Sequence, residues 1–489
     1  MEELTKCLII IFFFTFIILL LHQRRRGSSS SSSRGKISGK LPAGTDGWPF
    51  VGETLDFISC AYSPRPETFI DKRRSRHGKV FRSHLFGSPM IVSADADVTK
   101  CVLQSDSRSF VPSYPRSLTE LMGKSSILVI NGSLQRRVHG LIGAFLKSPA
   151  VKVRLAGDMQ RYVRQSMAGW EDGQVVRIQD EAKNIIFRIL VKGLIGLEAG
   201  KEMELLKQEF KEFIAGLMSL PMKIPGSQLY KSLRAKKKMV RVIKSIIDEK
   251  RRRNLQTSAG GSTPTDVVEV LINDSGDSDR WITDDLISDN VVDLMIPAED
   301  SVPVLVTLAV KFLGDSPIAL QQLQEENMFL KEQKKLAGED LQWNDYMSLS
   351  FTQHVITETL RVGNIISGIM RKAVRDVEIK GHLIPKGWCV FTYFRSVHLD
   401  EAHFDEPYKF NPWRWKDKEY MSSCNFTPFG GGQRLCPGMD LARLEASIFL
   451  HHLATNFTWV AEEDQIVNFP TVRMKKKMPI RVRRRSAIK

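Results

Sequence analysis

The chain has 489 residues, 42% of them hydrophobic and 26% charged, with a formal net charge of +16. That balance excludes a disordered or collagen-like polymer and leaves ample apolar material for a large core. The positive charge leaves open nucleic acid, anionic lipid or an acidic protein as partner.

In chain order, the first signal is an apolar run from Cys7 to Leu21, followed by Gln23, Arg24, Arg25 and Arg26. The run is about long enough to cross a bilayer, which takes roughly 17 to 25 residues. A cleaved signal peptide is the competing reading. Against it, the preceding residues include Glu2 and Glu3, and no small-residue cleavage site follows. Residues 1–22 are therefore expected to be a signal anchor forming a single N-terminal transmembrane helix. The arginine triplet predicts that everything after residue 24 faces the cytoplasm. Residues 23–40, with Ser28 to Ser33, read as a basic, serine-rich tether. Residues 41–489 read as one domain. The six cysteines (7, 60, 101, 389, 424 and 436) have no framework spacing, so free thiols are expected.

Beyond the stiff Leu41-Pro42 to Trp48-Pro49 segment, helical periodicity dominates. It predicts helices over Met203–Leu220, Ser232–Arg253, Thr283–Leu313, Ile318–Gly338, Phe351–Val362 and Met439–Thr455. Strand patterns are fewer: Val80–Leu85 with Met90–Ser93, Val377–Ile379 with His382–Ile384, and Trp388–Phe394. Length alone favours about three domains. No linker divides the chain, however, and Leu255–Asp266 reads as a surface loop. The fold class is mainly α with a small β part. Basic clusters at Arg234–Arg253, Lys475–Lys477 and Arg481–Arg485 come with no nucleic-acid module. Beside a membrane anchor, they point to lipid headgroups and an acidic protein partner.

Three constellations carry chemistry. Pro297-Ala298-Glu299-Asp300-Ser301-Val302-Pro303 places two prolines and an acid–alcohol pair inside an apolar helical segment. Each proline bends the helix at a cost of about 3 kcal/mol, and a break into two helices is the alternative. Glu358 and Arg361 stand at i and i+3 on a helix, and Arg414 follows in the aromatic stretch Asn411-Pro412-Trp413-Arg414-Trp415. The most informative stretch runs from Phe429 to Gly438 (FGGGQRLCPG). Its glycines permit positive φ and close approach to a flat object, and it presents Cys436 at a helix start. Backbone N–H groups and the helix N-terminus aimed at the thiol are expected to lower its pKa. A buried structural cysteine is the plain alternative. Zinc is excluded, because no CxxC or His pair is near, and so is a dinucleotide fingerprint, because no third glycine stands at 435.

The pattern F-x-x-G-x-R-x-C-x-G resembles the haem-ligand loop of the cytochrome P450 family. The resemblance implies that fold, with the N-terminal anchor preceding it, and haem b as cofactor with Cys436 as the axial ligand of the iron. Phe429 and Gly438 would flank the cofactor. It implies that Glu358, Arg361 and Arg414 form a buried structural triad. Asp300 and Ser301 would be the catalytic proton-handling pair of the oxygen-binding groove. Arg434 and Arg371 match positions that hold haem propionates. Gln135 and His139 match a second pair of donors, with Arg136 and Arg137 as alternatives.

With no G-x-G-x-x-G βαβ unit or flavin domain, electrons are expected from NADPH through a separate cytochrome P450 reductase docking on the basic face. Dioxygen is the co-substrate, membrane lipids are partners, and nucleic acid is not. Expected chamber walls are Val111–Ile127, Phe213–Leu220, Leu294–Ser301, Val362–Met370 and Phe469–Val472, with Met218, Ile365, Ile366, Ile369 and Met370 prominent. They suit a large apolar molecule such as a sterol. Segments such as SCAYSPRPETF, LMIPAEDSVPVLVTLAVKFL and NPWRWK are similar to the plant brassinosteroid C-23 hydroxylases, in which the Pro-Ala-Glu-Asp-Ser groove is the norm. That implies C-23 hydroxylation of 22-hydroxylated steroids such as 3-epi-6-deoxocathasterone, at the endoplasmic reticulum membrane. A hydroxylase of another position, sterol or triterpenoid, or a haem-binding membrane protein without turnover, are the alternatives.

Overall fold

Two prolines in the middle of the chain mark the break in its central helix. The computed structural model describes residues 39–49, 51–219, 221–256, 263–274, 282–417 and 425–485. The expected membrane anchor and nearly all of the tether lie outside the described residues. Among those described, no single helix is long and apolar enough to cross a membrane.

The helices that build the centre are Gly132–Lys147 (α1), Ile178–Ile195 (α2), Asp284–Met295 (α3), Val302–Gly314 (α4), Ser350–Gly363 (α5) and Met439–Asn456 (α6). Residues Val302 to Ala309 of α4 are all buried, as expected of a helix that is apolar on every face. It packs against α2, α5 and α6, and these form one continuous core. The start of α3 follows from local chemistry. The Thr283 hydroxyl accepts from the Leu286 N–H at 3.2 Å, and Asp284 and Asp285 fill the first turn. At the far end of α5, Asn364 adopts φ 43° and closes the helix.

The expected single helix over Thr283–Leu313 is interrupted twice. After α3 comes the single turn Pro297–Asp300, and Ser301 leaves helical geometry at φ −122°, ψ −77° before α4 starts. Pro297 and Pro303 have no N–H to give the carbonyls of Asp293 and Glu299. The expected helix to Leu220 stops at Ile214. Just beyond it the chain packs closely at Gly216, where a Cβ would lie 2.5 Å from Ser232.

The main sheet holds Val80–Leu85 (β1), Ser88–Ser93 (β2), Phe110–Pro112 (β3), Ile369–Ala373 (β4) and Cys389–Thr392 (β5) in the order β1-β2-β5-β4-β3. Only the β2–β5 pairing is parallel. Two smaller apolar clusters flank this sheet. The expected strand to Phe394 ends at Thr392, and Phe394–His398 is a short helix instead. A separate three-stranded sheet joins Val175–Arg177, Pro479–Arg484 and Phe457–Ala461.

Candidate functional site

The cysteine loop is shaped by its glycines. Gly430 and Gly432 take φ 74° and 64°, and a Cβ on Gly432 would fall 2.1 Å from the Leu103 carbonyl oxygen. Only glycine fits that conformation and that approach. The Cys436 N–H donates to the Phe429 carbonyl at 3.1 Å, closing the loop over itself. A Cβ on Gly438 would stand 4.0 Å from the Cys436 sulfur, and both residues line the cavity described below. One expectation is corrected here. Burial pushes the Cys436 thiol up, and the Gly438 N–H only partly offsets it. Desolvation outweighs the helix N-terminus, so a cationic partner is needed to hold a thiolate.

Helix α1 grips this loop from the side. Gln135 Nε2 donates to the Gln433 carbonyl at 3.2 Å, and His139 Nε2 lies 2.7 Å from the Leu435 carbonyl. These residues are one turn apart on one face, whereas Arg136 is exposed and Arg137 pairs with Asp274 at 2.8 Å. Of the alternatives on this helix, Gln135 and His139 are the ones that face the site.

Two guanidinium groups converge nearby. Arg434 donates to the carbonyls of Ile127 (3.0 Å) and Ile130 (2.5 Å) and to Asn131 Oδ1 (2.9 Å). Arg371, buried on β4, faces Tyr114 and donates to the Met370 carbonyl at 3.2 Å. Burial, followed by repulsion from Arg371, pushes Arg434 down to about 10. No carboxylate among the described residues forms a salt bridge with either. Two adjacent, poorly solvated cations with no protein anion make a fitting place for the two carboxylates of a bound group.

The break between α3 and α4 sets Ser301 on the cavity wall. Asp300 does not line the cavity. Burial raises its pKa, and it faces Lys183, Glu299, Arg473 and Thr471. Lys183 in turn pairs with Glu299. The acid and the alcohol thus stand in series, Ser301 inward and Asp300 behind it.

The brace below the site is fully buried. Glu358 accepts from Arg361 Nε (2.9 Å) and Nη2 (2.7 Å), Arg414 Nε (3.0 Å), Trp415 Nε1 (2.9 Å) and the Asn411 N–H (3.0 Å). The charged triad was legible from the sequence; Trp415 and Asn411 as further donors were not. Arg361 Nη1 continues to the His398 carbonyl at 2.9 Å. His398 Nε2 accepts from the Thr427 N–H at 3.1 Å, which places the proton on Nδ1, where it meets Asn364 Oδ1 at 2.7 Å. The brace therefore reaches the cysteine loop through one neutral histidine.

Between these parts lies a cavity of about 390 Å³. Cys436, Phe429, Gly438, Arg434, Arg371, Gln135, His139 and Ser301 all line it. Its apolar wall includes Ile127, Leu294, Ile365, Ile366 and Ile369, as expected, and also Leu305, which lies outside the expected walls. Other expected wall residues are absent from it. Phe213 is in the core, Met218 is 45% exposed on the surface, and 469–472 do not reach the lining. Met370 packs against an apolar cluster beside the sheet, because on β4 it alternates with Ile369 and Arg371, which face the cavity. Leu190 and Leu194 of α2, an i, i+4 pair, belong to the lining and were missed. So were two acids: Asp293, and Glu445 on α6, whose carboxyl burial pushes up to about 8. A lone acid in an apolar helical run was the available signal for both.

The family model described as Cytochrome P450 matches residues 42–482. A rice (Oryza sativa subsp. japonica) protein named Cytochrome P450 90D2 is 69% identical over 91% of this chain and 89% of its own length. Two Arabidopsis thaliana proteins named 3-epi-6-deoxocathasterone 23-monooxygenase, CYP90D1 and CYP90C1, are 58% and 53% identical over 91% of the chain, covering 90% and 85% of their own lengths. Among solved structures, the retinoic acid-bound cyanobacterial CYP120A1 superposes with a TM-score of 0.79, covering 92% of this chain and all of that one, at 23% identity. That likeness speaks to the fold alone.

Proposed function

Because the chain belongs to the cytochrome P450 family and has its mainly helical fold with a small sheet part, we propose that it hydroxylates C-23 of 22-hydroxylated steroid intermediates such as 3-epi-6-deoxocathasterone. The family makes it a monooxygenase with haem as cofactor. The reading of substrate and position is carried by the two relatives above 50% identity that bear that activity in their names. An apolar chamber with few polar groups supports it, since such a wall suits a steroid.

In this reading the Cys436 sulfur would bind the haem iron, and its loop is held by the Cys436 N–H and by Gln135 and His139 on the neighbouring carbonyls. Arg371 and Arg434 would hold the two propionates, and Phe429 and Gly438 would lie beside the cofactor. When bound, haem supplies activation of dioxygen and insertion of one oxygen atom into a C–H bond, with the thiolate pushing electron density to the iron. The protein supplies the rest. Ser301 Oγ, on the chamber wall, would offer a hydrogen bond and pass a proton into the chamber. The Asp300 carboxyl, raised by burial, reloads it from the side of Lys183 and Arg473. The isoleucines at 365, 366 and 369 orient the substrate and exclude water.

Electrons would come from NADPH through a separate reductase docking on the basic face beside the cysteine loop. Anchoring to the endoplasmic reticulum membrane through residues 1–22, with the catalytic domain cytoplasmic, completes the proposal; the apolar run and its Arg24–Arg26 flank support it. Resistance of the full chain to alkaline extraction from membranes would check the anchor. Reconstitution with reductase and NADPH, offering 22-hydroxylated and non-hydroxylated sterols side by side, tests the reaction. Oxygen at C-23 of the 22-hydroxylated sterol alone is expected; equal turnover of both, or insertion elsewhere, overturns the reading.

A further inference from the structure

One polar group in the chamber has no part in the reaction just described. Asp293 lies in the last turn of α3, among Val291, Val292, Leu294 and Met295, and lines the cavity eight residues before Ser301. It is 5% exposed. The Ser126 hydroxyl donates to its Oδ2, while its Oδ1 has no hydrogen-bond partner. The nearest cation, Lys236, is committed to Asp289 at 2.6 Å and to the Met122 carbonyl at 2.7 Å. Burial pushes the Asp293 carboxyl well up, which favours its neutral form, able both to donate and to accept. A buried polar atom left without a partner is uncommon and calls for an explanation.

Fastening the neighbouring segment does not explain it. Asn290, one turn earlier, already accepts from the Ile127 N–H at 2.8 Å and donates to the Ser125 carbonyl at 2.9 Å. The second oxygen of Asp293 is surplus to that clamp. What it lacks is a partner able to donate and accept, which is the chemistry of an alcohol.

We propose that Asp293, oriented by Ser126, hydrogen-bonds a hydroxyl on the ring system of the steroid, at the end of the substrate away from the oxidised side chain. The inference rests on the steroid reading above. Its geometry comes from the chain path: Asp293 in the last turn of α3 and Ser301 at the break before α4 are eight residues and two helix interruptions apart, so they line separate stretches of the chamber wall. A hydroxyl adjacent to the oxidised carbon would sit beside Ser301 and out of reach. A hydroxyl across the rings would not. A site built around such a bond rejects the analogue lacking the hydroxyl, because the buried acid is then left incomplete.

The test uses the haem-loaded full chain and the Soret shift on steroid binding. The 22-hydroxylated steroid is titrated with its ring hydroxyl and in a ring-deoxy form, against wild type, Asp293→Ala and Asp293→Leu. Wild type is expected to prefer the ring-hydroxylated form by about tenfold or more, a difference of about 1.4 kcal/mol. Either variant should lose most of that preference while binding the deoxy form about as wild type does. No preference in wild type, or a preference that survives in a haem-loaded variant, overturns the proposal even where both variants fail to assemble. If neither steroid shifts the wild-type spectrum, the steroid reading itself fails, and this inference with it.

Discussion

Replacing Glu358 with glutamine changes one atom type and no volume, yet it is expected to cost the protein its cofactor. Five donors converge on the two Glu358 oxygens, from Arg361, Arg414, Trp415 and the Asn411 amide, and the residue is 0% exposed. Glutamine turns one acceptor oxygen into an NH₂ donor facing other donors. It also leaves two buried guanidinium groups without a counter-charge. Breaking a buried ion set from one side costs about 3–5 kcal/mol, a large part of a total stability of about 5–15. At about 2.1 cal/mol/K per residue, the unfolding entropy of a 489-residue chain turns 4 kcal/mol into a shift of only about 4 °C in Tm. Haem loading should be the more sensitive readout. The brace acts through Arg361 and His398 on Thr427, which leads directly into the cysteine loop. Glu358→Gln should therefore show a much reduced thiolate-type carbon monoxide difference spectrum together with the lowered Tm. A variant that loads haem fully and melts within about 1 °C of wild type would refute this account of the brace.

Other consequences can be checked separately. His398, His451 and His452 are buried and held neutral by burial first, at pKa values of about 3, 3 and 2. The unfolded chain takes up their protons below about 6.5, so stability present above that value is lost as pH falls, by about 2 kcal/mol per histidine at pH 5; a urea midpoint that stays flat between pH 7 and 5 would contradict it. Gly432→Ala sets a Cβ 2.1 Å from the Leu103 carbonyl oxygen at a φ of 64°, so Leu103 must move in addition to a backbone cost of about 1–2 kcal/mol. The haem-to-protein ratio of the purified variant should fall. Ser301→Ala should keep the carbon monoxide spectrum but lower product formation by about 100-fold, with Ser301→Thr retaining most of it; unchanged product yield in the alanine variant would remove Ser301 from proton delivery.

Some of this site was open to reading and some was not, for definable reasons. The strand pair Val377–Ile379 with His382–Ile384 matches because a two-residue Lys380-Gly381 turn, both residues at positive φ, leaves one register. The cysteine loop and the Glu358–Arg361 pair stand at fixed local spacings, while Arg414, 56 residues on, was placed with them by resemblance to the family. What failed depended on which way a side chain turns. Met370 and Arg371 are neighbours on opposite faces of β4, and the apolar one faces away from the chamber. Met218 follows a helix that ends early, in a stretch packed at Gly216 against Ser232, a partner the local pattern does not reveal. The Cys436 thiol was misjudged because its N–H partners are visible locally, while the burial that outweighs them is assembled from many segments. Asp293 gave a signal in its isolation among apolar neighbours, but its partner Ser126 is 167 residues away.

The chain around Ile127 is fastened at both ends. Asn290 and Asp293 tie residues 125–127 to α3, and Arg434 ties the carbonyls of Ile127 and Ile130 to the cysteine loop. A wall secured that way has no free edge to swing. Substitutions at other boundaries of the chamber are then the ones expected to alter ligand traffic while leaving these bonds in place.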